Sequence, residues 1–121
     1  MKHKINIPCN GRKYLEIPLP SGGAYVFFSL AAAGDMSHES EMKTGSRSRF
    51  FRETGAVNPV MLNQIHSGLV YDTRELEPGR LTDGDGLVSC RNESLGVLIA
   101  DCVPVFLYDR KTRSIGAFHS G

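Results

Sequence analysis

The chain has 121 residues, 40% of them hydrophobic and 22% charged, which fits a single soluble domain with a modest core. Its formal charge of +1 comes without any basic block, so a nucleic-acid surface is not indicated, although a local arginine cluster could still hold a small phosphate. Three cysteines would leave one thiol over from any disulfide framework, and no run approaches the ~18 apolar residues of a membrane span; together these point to the cytoplasm and away from membranes.

Residues 12–19 and 24–30 predict two strands joined by the turn Pro20-Ser21-Gly22-Gly23. The second run follows Glu16 and three prolines and is rich in aromatic and β-branched residues. It therefore fits a buried strand better than the apolar core of a signal peptide. Residues 34–47 are polar and predict a loop, and 46–54 predicts a short helix stopped by Gly55. Residues 60–66 alternate as a strand would, with Val60, Leu62, Gln64 and His66 on one face. After a polar loop at 74–85 come three apolar runs, 86–88, 95–100 and 103–108, then a turn at 109–113 and a last strand at 114–119. Short strands dominate and no repeat is present. The chain stops at Gly121 directly after its apolar last strand, which suggests that 1–121 is one domain from the N-terminal portion of a longer protein.

If the strands 103–108 and 114–119 pair about Lys111, Cys102 and His119 come within about one residue pair, where Cβ atoms are on the order of 5 Å apart. A thiol and an imidazole that close serve either as metal ligands or as a nucleophile with its base. His66, at the end of another predicted strand, is a third candidate, and one thiolate with two imidazoles suits zinc with one position left open. The plainer reading is a small core cysteine and two hydrogen-bonded strand-end histidines. Gln64 is a candidate for orienting His66 or binding a purine edge, and Asp85 and Asp101 are candidate acid/base groups, with Asp85 favoured. Asp101 should point to the face opposite Cys102. Arg47 and Arg49 fit a solvated helix face better than a phosphate site. Cys9 and Cys90 carry no assigned role.

The segments NQIHSG (63–68), TDGDGLVS (82–89), LGVLIADCVPVFLYD (95–109) and IGAFHSG (115–121) resemble, in order and spacing, the signature of the laccase-domain (YfiH-like) purine nucleoside phosphorylase family. The match covers about half the chain, with VFFSL and GDMS (26–37) a looser continuation; Ala31 and Ala32 depart from the S-x-R element of that family. The resemblance implies an α+β fold of layered mixed sheets with outer helices. It also implies zinc held by His66, Cys102 and His119, acting as a Lewis acid; Gln64 and Asp85, read from the residues alone, are the candidate substrate contacts beside it. The implied activity is phosphorolysis of adenosine, inosine and methylthioadenosine, with adenosine deamination beside it; purine nucleosides and phosphate are the partners. The family's older description as a multicopper polyphenol oxidase fits poorly, because the histidines are only His3, His38, His66 and His119. Two alternatives stand. One is a metal-free hydrolase or deamidase with Cys102 as nucleophile and His119 as base, which has no need of His66; the other is a non-catalytic module that binds zinc or nucleoside.

Overall fold

The computed structural model describes residues 11–20 and 23–121. His3, Cys9 and the turn residues Ser21 and Gly22 lie outside these. The flanking strands form as predicted: β1 (Tyr14–Pro18) and β2 (Tyr25–Ser29) pair antiparallel, from Tyr14 opposite Ser29 to Pro18 opposite Tyr25. Two helices follow, α1 (His38–Thr44) and α2 (Ser46–Thr54). A short strand β3 (Pro59–Val60) pairs parallel with β6 (Ser94–Leu95). The main sheet has four strands in the order β4 (Val70–Asp72), β5 (Gly86–Ser89), β8 (Ser114–Ser120) and β7 (Val103–Asp109), with only the β4–β5 pair parallel. The result is an α+β fold with mixed sheets, as expected. No helix among the described residues is long and apolar enough to cross a membrane.

Four sequence expectations are corrected. The predicted loop at 34–47 contains α1, whose ends are well marked. Ser37 accepts from the Ser40 N–H at its start, Glu39 and Glu41 occupy its first turn, and Gly45 closes it in the left-handed conformation at φ +63°. The predicted strand 60–66 is reduced to β3 and a lone bridge between Asn63 and Asp83. Beyond Asn63 the chain turns, because Gln64 pairs its side-chain amide, not its backbone, with the next segment. Its Nε2 donates to the Leu98 carbonyl (2.8 Å) and its Oε1 accepts from the Leu98 N–H (2.7 Å). By the same contact the run 95–100 is held as a loop after Leu95 instead of extending as a strand.

The last correction is the register of the β7–β8 hairpin. Asp109 stays in the ladder opposite Ser114, and its carboxylate accepts from Lys111 N–H (2.9 Å) and the Thr112 hydroxyl (3.0 Å) across the turn. The loop is therefore four residues long, and Pro104, not a residue nearer Cys102, faces His119.

Alternation gives β7 two different faces. Pro104, Phe106 and Tyr108 are half-buried, and Phe106 meets Phe28 of β2 edge-on at 5.9 Å between centroids. On the same face, Leu87 of β5 and Ala117 of β8 lie opposite each other, each 1% exposed; with Leu62 they are the fully buried apolar residues of the described chain. So small a core makes each member costly to lose. Leu87→Ala is expected to destabilise the fold by about 2–5 kcal/mol. A denaturant midpoint unchanged from wild type would show that the core lies elsewhere. Between the β1–β2 hairpin, α2 and this inner face runs a cleft of about 1060 Å³, lined by Phe27, Phe50, Phe106, Tyr108, Arg47 and Arg91 among others.

Candidate functional site

The register of the main sheet builds the site. Gly86 of β5 faces Phe118 of β8, so one pair further along Asp85 faces His119, and the His119 N–H donates to the Asp85 carbonyl at 2.8 Å. Directly opposed residues of antiparallel strands share a face. The side chains meet accordingly, with His119 Nδ1 2.7 Å from Asp85 Oδ2 and side-chain exposures of 4% and 2%.

His66 arrives from a different element. The 63–67 segment is anchored by Asn63, whose amide donates to Asp83 Oδ1 (2.8 Å) and whose backbone bonds to Thr82 and Gly84. It then turns through His66 itself, which stands at φ +60°, a left-handed conformation unusual outside glycine. The His66 ring ends 5.0 Å from that of His119, centroid to centroid, with the planes at 75°. His66 is exposed where His119 is buried, so the pair reaches from the interior to the surface. Gly121 passes beside both rings: a Cβ there would lie 2.5 Å from His66 Nδ1 and 3.3 Å from His119 Cε1.

Asp85 accepts from the backbone N–H groups of Ile65 (3.2 Å), His66 (3.1 Å) and Ser67 (2.8 Å) and from the Ser67 hydroxyl (2.7 Å), besides His119. Burial alone would raise its pKa. The bonds from the Ser67 backbone and hydroxyl, then those from His119 and Ile65, outweigh that and hold it well below the usual carboxylate range. Both oxygens are thus engaged by the protein, which leaves no free edge for an acid/base or substrate-binding role. Gln64 is likewise committed to Leu98.

Cys102 sits in a bend two residues before Pro104, the partner of His119, at the same end of the sheet. Its Sγ donates to Asp101 Oδ1 at 3.7 Å, so Asp101 lies beside the thiol and not on the opposite side. Burial first, and then the Asp101 charge, push the Cys102 pKa up. Arg47 donates to the Met36 carbonyl (3.0 and 2.7 Å), half-buried against the cleft, and Arg49 donates to the Thr44 carbonyl (3.2 Å) on the exposed side. Cys90 is exposed and free.

The structure thus brings His66, His119 and Asp85 together. Among the described residues, no three His, Cys, Asp or Glu side chains converge as a metal-holding group. The donor chemistry of the imidazole pair nevertheless fits a transition metal. A metal-binding histidine commonly gives its other ring N–H to a carboxylate, as His119 does to Asp85, and imidazole suits zinc. Two contributors had no assigned role at the sequence level: Ser67, legible only as the residue after His66, and Gly121, whose closeness to both rings depends on the hairpin register.

The pattern of a family described as multi-copper polyphenol oxidoreductase laccase matches residues 21–121. Over 63 residues the chain is 41% identical to a purine nucleoside phosphorylase of Clostridium acetobutylicum, covering 50% of this chain and 25% of that protein. A purine nucleoside phosphorylase of Borreliella burgdorferi is 34% identical over 61 residues, covering 50% and 26%. The crystal structure of a Neisseria meningitidis protein of the family DUF152 superposes with a TM-score of 0.69 at 24% identity, over 91% of this chain and 51% of that one. The chain therefore spans about a quarter of the length of the curated relatives it matches, and about half of the solved structure.

Proposed function

The chain belongs to the multi-copper polyphenol oxidoreductase laccase family, and from that premise we propose that it forms part of a purine nucleoside phosphorylase that uses zinc. The observation that carries the proposal is the adjacent pair of imidazoles, one exposed and one backed by a buried carboxylate, on a chain whose relatives are named for nucleoside phosphorolysis. In this reading His66 and His119 hold the metal with Cys102 as the third ligand, and zinc supplies Lewis acidity when bound. The wider protein takes up adenosine, inosine or methylthioadenosine with phosphate, and adenosine deamination is a side activity.

In phosphorolysis a phosphate oxygen bonds to the ribose carbon as the bond to the purine nitrogen breaks, and the base leaves with the electron pair and gains a proton. The chain's own contribution is to position the reactants and exclude water. The cleft supports that role: its aromatic walls suit a purine face, and its lining includes Ala117, two residues before His119 on β8, and Pro104, the partner of His119 across the ladder. His66, Cys102 and His119 themselves are not among the residues that line the cleft.

A metal-free Cys102–His119 dyad is less well supported. A nucleophilic cysteine needs a lowered pKa, whereas burial and then Asp101 push this one up, and the dyad gives the exposed His66 beside His119 no role.

The test is an assay of purified protein with each nucleoside, with and without phosphate, separating free base and sugar phosphate from deaminated nucleoside. Phosphate-dependent release of base is expected. Deamination without any phosphorolysis would overturn the phosphorylase reading. Phenol oxidation that tracks added copper, with no nucleoside turnover, would restore the polyphenol oxidase reading.

A further inference from the structure

The turn at residues 65–67 has the geometry of an anion site, and its occupant is part of the protein. Three successive N–H groups, of Ile65, His66 and Ser67, point at one carboxylate at 3.2, 3.1 and 2.8 Å. They converge because His66 is left-handed at φ +60°. Consecutive N–H groups turned inward by a left-handed residue form a concavity that binds anions. For a non-glycine residue that conformation is unfavourable, so it requires something to hold it. The charge that fills the concavity is Asp85, which is 3% exposed and so has no solvent to turn to.

The same carboxylate reaches the second imidazole. Every group facing Asp85 is a donor or must act as one: three backbone N–H groups, the Ser67 hydroxyl at 2.7 Å and His119 Nδ1 at 2.7 Å. An ionised carboxylate only accepts, so Nδ1 carries the proton and Nε2 is left as the basic atom of the ring.

We infer that Asp85 is the single positioning residue for both imidazoles: it holds the left-handed turn that presents His66 and fixes His119 with its proton on Nδ1. Two side chains from different elements are thereby set against each other by one buried group. The inference rests on the proposed metal reading only for the purpose of the two rings. Their arrangement can be measured without metal or nucleoside.

The test is imidazole and amide nuclear magnetic resonance on ¹⁵N-labelled, metal-free protein, on the alkaline side of histidine titration. In the wild type, His119 is expected to show a protonated Nδ1 and an unprotonated Nε2, with the His66 and Ser67 amide protons shifted downfield by their bonds to a charge. In Asp85→Asn, His119 is expected to lose the single tautomer and both amide signals to move upfield. In Asp85→Ala, added formate, which fits the vacated concavity, is expected to restore the amide shifts. A wild-type His119 protonated on Nε2 would overturn the inference, and so would an Asp85→Asn spectrum in which tautomer and amide shifts are unchanged. If neither variant folds, the wild-type tautomer and amide shifts decide alone. A protein without phosphorolysis or zinc, but with these spectra, would sink the functional proposal and leave this one standing.

Discussion

Cys102→Ala is expected to be purified with almost no zinc, where the wild type carries about one ion per chain, and to lose phosphorolysis with it. The expectation combines two observations. His119 is tied at Nδ1 to a buried carboxylate, leaving Nε2 to bind, and the exposed His66 stands 5.0 Å away. Two imidazoles alone make a weak site, so a third protein ligand has to come from the same end of the sheet. Cys102, two residues before the strand partner of His119, is the thiol available there. Because even an outer partner of a metal ligand is worth 10–100-fold, loss of a ligand should lower activity by roughly 100-fold or more. His66→Ala should do the same. That variant separates the readings, since a Cys102–His119 dyad has no use for His66. Elemental analysis showing equal zinc in wild type and Cys102→Ala would remove the cysteine from the site. Activity untouched by His66→Ala and by chelators would return the case to the dyad.

The parts of this site that were legible in the sequence are those fixed by local pattern. The hairpin of β7 and β8 follows from two apolar runs around a polar turn, and it alone brings Cys102 and His119 to one end of the sheet. The helix 46–54 and its stop at Gly55 are equally local. What escaped were contacts in which a side chain replaces a backbone partner. Gln64 uses its amide to pair with Leu98, which ends the alternation that placed Gln64 and His66 on a common strand face. Asp109 uses its carboxylate to cap the turn and so shifts the register by one, making Pro104 the partner of His119. Asp85 was legible as a site residue but not by role, because its five donors come from segments far apart in the chain, residues 65–67 and 119. Nothing within a window around Asp85 announces them. Helix α1 is a different case: Ser37, the acidic first turn and Gly45 were all in view, and the polar composition of 34–47 concealed them.

The second large effect expected is self-association of the 121-residue chain, abolished by charge on the outer face of β7. That face carries Val103, Val105 and Leu107 at 60%, 39% and 59% exposure, with Val70 of β4 at 51% on the same side of the sheet. Phe118 lies between them across two glycines: a Cβ on Gly86 or on Gly116 would come within 2.7 Å of its ring. The ring is therefore flattened onto the sheet and the face is smooth, apolar and open. β7 is also the edge strand, and only Pro104 interrupts the donors along it. An apolar face joined to an open strand edge is what soluble proteins avoid presenting to one another. Sedimentation of the wild-type chain is expected to show concentration-dependent oligomers. Val105→Lys with Leu107→Lys, both at exposed positions that leave the buried face untouched, should weaken association at least tenfold, about 1.4 kcal/mol, with little change in melting. A wild-type chain that stays monomeric as its concentration is raised would show that Phe118 and its neighbours are not available for contact. A double variant that associates as strongly as wild type would move the contact to another surface.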